Sequence, residues 1–147
     1  MADVEIKGLD LLLSKLDKVA TDEATRQGIT RACELVDGGA KENLHKNGTS
    51  DTGELAQSVH YEVEGLTGVI GTNKEYAPYV EIGTGIFSSL GDGRDTPWVY
   101  WSEKLQRFVR TVGQHPQPYL RPALVDNIED IKKVIFDEAL KEARKHD

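Results

Sequence analysis

Four histidines and one cysteine are the side chains here with the best intrinsic metal or acid-base chemistry: His45, His60, His115, His146 and Cys33. A zinc site draws its ligands in close pairs, two to five residues apart, or as two histidines one helical turn apart. No two of these five residues stand that way, so no metal is expected. Cys33 has no partner for an intramolecular disulfide and falls on the apolar side of a helical pattern, which predicts a buried, inert thiol. Gly83-Thr84-Gly85 lacks the third glycine of a dinucleotide fingerprint and the lysine of a P-loop, and it follows a helical pattern rather than a strand, so it reads as a helix stop. No Gly-x-Ser-x-Gly elbow occurs. The acidic pairs Asp22-Glu23 and Glu129-Asp130 lie where helix starts favour negative charge. The sequence therefore offers no catalytic residue, no cofactor and no cofactor-binding residue.

The aromatic residues point elsewhere. Tyr76, Tyr79, Phe87, Trp98, Tyr100, Trp101, Phe108 and Tyr119 all fall between positions 76 and 119. Aromatic side chains serve equally as core filling and as the centre of protein-protein interfaces. In an extended Trp98-Val99-Tyr100-Trp101, Trp98 and Tyr100 point opposite to Val99 and Trp101, which leaves one set available to a neighbour. Phe87, Trp98, Tyr100, Trp101 and Phe108 are the candidate interface residues.

The chain of 147 residues with net charge −7 has the length of one domain, and residues 1–147 are expected to form one. The negative charge opposes binding to nucleic acid or to anionic membranes. The longest apolar run, Leu11 to Leu13, is far short of the roughly 20 residues of a spanning helix, so no membrane segment is expected. A lone cysteine leaves the redox compartment open and slightly favours a reducing cytoplasm.

Val4 and Ile6 suggest a short extended segment, and Leu9, Leu12, Leu13, Leu16 and Val19 recur at helical spacing. Ile29, Cys33, Val36, Ala40 and Leu44 mark a second, longer helix, in which Gly38 and Gly39 imply either close packing or a bend. Asn47 to Gly53 contains only turn formers and polar residues and reads as an exposed loop. From Leu55 through Val59, Tyr61 and Val63 the alternation becomes that of a half-buried strand, which Gly65–Thr67 turns back into 68–72. Lys74 to Gly85 reads as a short helix with Pro78 in its first turn, and 85–98 as an exposed loop. Trp98–Trp101 and Arg107–Val112 make a second hairpin. Pro122 opens a last helix with Leu124, Ile128, Ile131 and Ile135 on one face, fraying over 140–147. The fold class is α+β: a small antiparallel sheet of two β-hairpins packed against a long helix of the N-terminal half and a C-terminal helix.

Four segments carry a resemblance. Tyr76-Ala77-Pro78-Tyr79-Val80-Glu81-Ile82-Gly83-Thr84-Gly85 resembles the Tyr-Ala-x-Tyr-x-Glu-x-Gly-Thr signature of a tailed-phage tail-component family. Gln117-Pro118-Tyr119-Leu120-Arg121-Pro122-Ala123-Leu124 is similar to its Pro-Phe-Leu-Arg-Pro-Ala segment, with Tyr119 at the aromatic position. Thr96-Pro97-Trp98-Val99-Tyr100 resembles its Pro-Trp-aromatic insert, and Asp51–Leu55 with Ser58-Val59 resembles its Thr-Gly-x-Leu-x-x-Ser lead into the first hairpin. The resemblance implies a non-enzymatic virion protein of a phage or prophage, acting in tail completion or head-tail joining as a minor tail protein. It implies assembly into a homo-oligomeric ring, a hexamer being one such form, at the neck or head-proximal end of the tail. The partners implied are other copies of the chain, the connector or adaptor, and tail-tube or tail-terminator proteins. The location implied is the virion, after assembly in the host cytoplasm. A ring needs a heterologous interface, one patch meeting a different patch. Glu81 and Arg121, oppositely charged, are candidates to pair across two of the motifs. The alternatives are a small enzyme, which would require a convergent nucleophile, base and acid, or a nucleic-acid-binding module, which the charge opposes.

Overall fold

The computed structural model describes residues 22–48 and 52–145. The expected segments at Val4–Ile6 and Leu9–Val19, the loop residues 49–51 and His146 lie outside the described residues. The chain order is α1 (Asp22–Asn47), α2 (Thr52–Ser58), β1 (His60–Glu64), β2 (Thr67–Gly71), α3 (Ala77–Ile82), a 3-10 turn (Gly85–Phe87), β3 (Trp98–Ser102), β4 (Arg107–Thr111), α4 (Leu120–Val125) and α5 (Ile128–Arg144). The fold is α+β.

Helix α1 is the axis of the core. Asp22 and Glu23 occupy its first turn and His45 and Lys46 its last, the arrangement the helix dipole favours. Ala24, Gly28, Ala32, Cys33, Val36, Ala40 and Leu44 are buried along one stripe. Small residues let neighbours come close: a Cβ at Gly28 would stand 2.8 Å from the Ile135 backbone of α5, and one at Gly39 would stand 3.3 Å from Ala123 of α4. Close packing thus explains Gly39, whereas Gly38 is exposed with nothing nearby. An Arg31–Glu138 ion pair at 3.6 Å also joins α1 to α5.

Helix α2 corrects the expectation that a strand starts at Leu55. Glu54, Leu55, Ala56 and Gln57 are good helix formers with no β-branched neighbour among them. One helical turn places Leu55, Ala56 and then Val59 together in the core with Val36, Ala40 and Leu44. The strand alternation begins only at His60, with Tyr61 and Val63 half-buried and His60, Glu62 and Glu64 exposed. β1 and β2 pair antiparallel, Tyr61 with Ile70 and Val63 with Gly68, and this inner face lies on α1. A Cβ at Gly68 would reach Cys33 Sγ at 2.5 Å. Cys33 is buried, and burial pushes its thiol above the ordinary range.

β3 and β4 pair antiparallel with Trp98 opposite Thr111 and Trp101 opposite Phe108. The two hairpins form separate two-stranded sheets.

The C-terminal region is two helices, not the single one expected from Pro122 onward. Asn127 makes the break: its side-chain N–H donates to the Ala123 carbonyl at 2.9 Å, and its own carbonyl accepts from Ile131 to begin α5. The break also dissolves the expected apolar face. Leu124 and Ile128 are exposed, Ile131 packs on the core, and Ile135 sits at the Gly28 crossing. Helix α5 extends to Arg144.

Candidate functional site

The 76–85 segment is built around one carboxylate. Pro78 occupies the first turn of α3, and Gly83, at φ 77°, ends the helix by donating its N–H to the Tyr79 carbonyl at 2.9 Å. Glu81 Oε2 accepts the backbone N–H groups of Tyr119 at 2.8 Å and Leu120 at 3.0 Å, while Oε1 accepts that of Arg121 at 2.9 Å. The first N–H groups of a helix have no partner inside it, so Glu81 closes the N-terminus of α4 from another element. The expected link between Glu81 and Arg121 exists, but through the arginine backbone. The expectation of a side-chain pair is corrected: among the described residues no salt bridge joins the two, because the carboxylate is occupied by amides.

Pro118-Tyr119-Leu120-Arg121-Pro122 is held from the other side as well. Asn43 Nδ2 donates to the Tyr119 carbonyl at 3.0 Å and Asn47 Nδ2 to the Gln117 carbonyl at 3.4 Å. Tyr119 is 3% exposed, and burial, with Glu81 and Tyr76 nearby, pushes its phenol up to about 12. Pro122 falls in the first turn of α4, where its missing N–H costs nothing. These motif residues serve the fold.

Gly83-Thr84-Gly85 does more than stop a helix. Thr84 N–H donates to the Gln114 carbonyl at 2.9 Å, Gln114 N–H to Thr84 Oγ1 at 2.9 Å, and Ile86 N–H to the Val112 carbonyl at 3.1 Å. The segment therefore runs backbone to backbone along the end of β4. Gly85, at φ 63°, lies so close that a Cβ would collide with the Val112 carbonyl oxygen, and one at Gly113 would collide with that of Thr84. Phe87 stacks on His115 with ring centroids 3.8 Å apart. Together these contacts fasten the root of the second hairpin. Phe87, expected as an interface residue, is half-buried in this root. The expected 85–98 loop is likewise bounded by structure: Gly85 is buried in the 3-10 turn and Trp98 begins β3.

Beyond the root the hairpin stands free. Among the described elements, β3 and β4 pack substantially only on each other. Val99, Trp101, Phe108 and Arg110 share one face by register, and all four are exposed, Trp101 at 46% and Phe108 at 71%. Trp101 meets Phe108 edge to face at 5.1 Å. On the opposite face Tyr100 is also exposed and Trp98 is half-buried, with the Arg94 guanidinium 5.7 Å over its ring. Tyr79, Thr84, Asp92, Arg94 and Trp98 line an open groove of about 470 Å³ between root and arm.

Among the described residues that line this groove, no histidine or cysteine stands beside a serine or threonine as a base for a nucleophile. Among the described residues, no group of three or more His, Cys, Asp or Glu side chains could hold a metal, and no helix is long and apolar enough to cross a membrane. The site is an exposed aromatic arm on a motif-built root. The profile of the HK97-gp10-like family, "Bacteriophage HK97-gp10, putative tail-component", matches residues 9–83, half of the chain, and the chain belongs to that family of phage tail components. No curated protein and no solved structure matches it significantly.

The match ends at Gly83, so it spans α1, α2, the first hairpin and α3, including Glu81. Sequence reasoning missed the capping role of Glu81 and the root glycine Gly113. A charged residue inside an otherwise apolar helical turn, Tyr79-Val80-Glu81-Ile82, was the available signal for Glu81; nothing local marked Gly113.

Proposed function

We propose that this phage structural protein acts in tail completion or head-tail joining, assembling as a homo-oligomeric ring at the neck or head-proximal end of the tail. The arm is the observation that carries the reading. A two-stranded hairpin exposed on both faces is at best marginally stable by itself and leaves aromatic surface in water. Here the fold devotes buried glycines and five strand residues on each side to holding such a hairpin outward. That arrangement gives nothing to the core and suits a docking element. Family membership supports a structural rather than catalytic role, located in the virion tail. The ring would present further surfaces to the connector or adaptor on one side and to tail-tube or terminator proteins on the other.

Light scattering coupled to size exclusion, across a concentration series, tests this reading. The expected result is a discrete mass at a fixed multiple of the monomer, reached as concentration rises, with annular particles by electron microscopy. A strict monomer throughout the series contradicts ring formation by the chain alone.

A further inference from the structure

We infer that the β3–β4 arm opens and closes as one unit on a latch, formed where Thr84–Ile86 crosses Val112–Gln114, while α1, α5 and the first hairpin stay folded. The chain leaves the core after α3 and returns to it at Gln117, and the two ends are tied together, since Gln117 N–H donates to the Val80 carbonyl at 2.7 Å. Among the described residues, the buried core reaches Ala77 and resumes only at Tyr119 and Ala123. The return is fastened without the arm, because Asn47, Asn43 and Glu81 bond the backbone of 117–121. Opening the arm therefore removes no member of this core and pulls on neither end.

Inside that tie the arm is held chiefly by backbone. Thr84 N–H meets the Gln114 carbonyl, Gln114 N–H meets Thr84 Oγ1, Ile86 N–H meets the Val112 carbonyl, and Ser89 N–H donates to the Ile82 carbonyl at 2.8 Å. The Phe87 ring on His115 is the one aromatic stack among them. These bonds require the two segments to meet face to face at Gly85 and Gly113, where a Cβ on either would strike a carbonyl oxygen of the other. Farther out, Val99, Tyr100, Trp101, Leu105 and Phe108 are exposed, and a two-stranded hairpin without a packed face is marginal in water. Releasing the latch thus unpairs the strands as well, so that latch and arm open together at a free energy below that of global unfolding. Only the closed state sets Val99, Trp101 and Phe108 on one face. A partner that docks there selects closed copies, and the latch sets the fraction open to it. This goes beyond the ring reading and does not depend on it.

Hydrogen exchange read by mass spectrometry on the dilute, monomeric full chain tests the latch apart from assembly. Peptides covering 84–87, 98–111 and 112–115 should share one protection factor, at least about a hundredfold below that of the α1 peptides around Val36 and Leu44. Gly113→Ala sets a Cβ against the Thr84 carbonyl oxygen at a positive φ, and should quicken all three arm peptides by about a further thirtyfold while α1 keeps its wild-type rate. Thr84→Val removes only the Oγ1 acceptor of Gln114 N–H. It should quicken the same peptides about fivefold, and it carries the test where Gly113→Ala fails to fold. Arm peptides protected as strongly as α1 overturn the inference, as do folded variants in which α1 quickens in step with the arm. Strand peptides that exchange well ahead of 84–87 and 112–115 overturn the latch, because the hairpin then frays on a fixed root.

Discussion

Two hairpins of five-residue strands with the same antiparallel pairing occur within 52 residues of each other, and the molecule uses them oppositely. In β1–β2 one face lies on α1, with Ile70 against the core and Gly68 close on Cys33, and the face of His60, Glu62 and Glu64, with Val69 beside them, meets water. In β3–β4 both faces carry exposed large side chains, and the hairpin is fixed at its root rather than along its length. Burial makes the first part of the domain. Backbone hydrogen bonds and glycines hold the second away from it. The comparison shows that a small α+β domain can carry exposed aromatic surface on an element that its core does not need.

The root can be broken at Glu81. Glu81→Ala leaves three backbone N–H groups of Tyr119, Leu120 and Arg121 without their acceptor, at an expected cost of about 3 kcal/mol for a partly buried, charge-assisted set. Urea unfolding measures it, and hydrogen exchange should quicken first at 119–121. Glu81→Gln should recover part of the loss, since one amide oxygen still accepts. A loss below about 1 kcal/mol would show that water replaces the carboxylate readily.

The seat of the first hairpin is probed by Gly68→Val, whose side chain meets Cys33 Sγ and Ile29 Cγ2. Overpacking of this kind costs about 2 kcal/mol, and the same unfolding experiment reads it. If Gly68→Val is instead tolerated without loss, β1–β2 is held less closely to α1 than its glycine implies, and the contrast between the hairpins weakens.

Tyr119 gives a similar magnitude through pH. Its folded phenol lies at about 12 against an ordinary 10.0, so the folded state favours the neutral form. The associated stability is fully present below pH 10 and is lost as pH rises toward and through 12, on the order of 2 kcal/mol. Tyr119→Phe should flatten that part of the alkaline stability curve. An unchanged slope in the phenylalanine variant would assign the alkaline loss to other groups.

Much of this organisation was legible in the sequence. The stripe of α1, the alternation at Tyr61 and Val63, Pro78 in its first turn and the two hairpins all follow from local periodicity and turn chemistry. Leu55 misled because an apolar residue four before Val59 and six before Tyr61 fits a strand alternation and a helical turn alike; helix propensity and the core behind α1 decided it. Asn127 was overlooked because the apolar residues on either side continue a helical spacing through it. The aromatic concentration between 76 and 119 was visible, but which rings are core was not. Tyr119 is buried, Phe87 lies in the root, and Trp101 and Phe108 stand in solvent, a distinction set by contacts among segments distant along the chain. Glu81 as a cap across 38 to 40 residues is of the same kind.

The smallest effect on stability belongs to the exposed face of the arm, and it tests the central claim that the arm serves assembly and not the fold. The measurement is the melting temperature of Trp101→Ala/Phe108→Ala together with its mass by light scattering beside wild type. The account predicts that unfolding free energy changes by no more than about 1 kcal/mol, the sum expected of two exposed substitutions, while the assembled mass collapses to that of the monomer. Cooperative destabilisation of the whole domain, or assembly that persists unchanged, would contradict it.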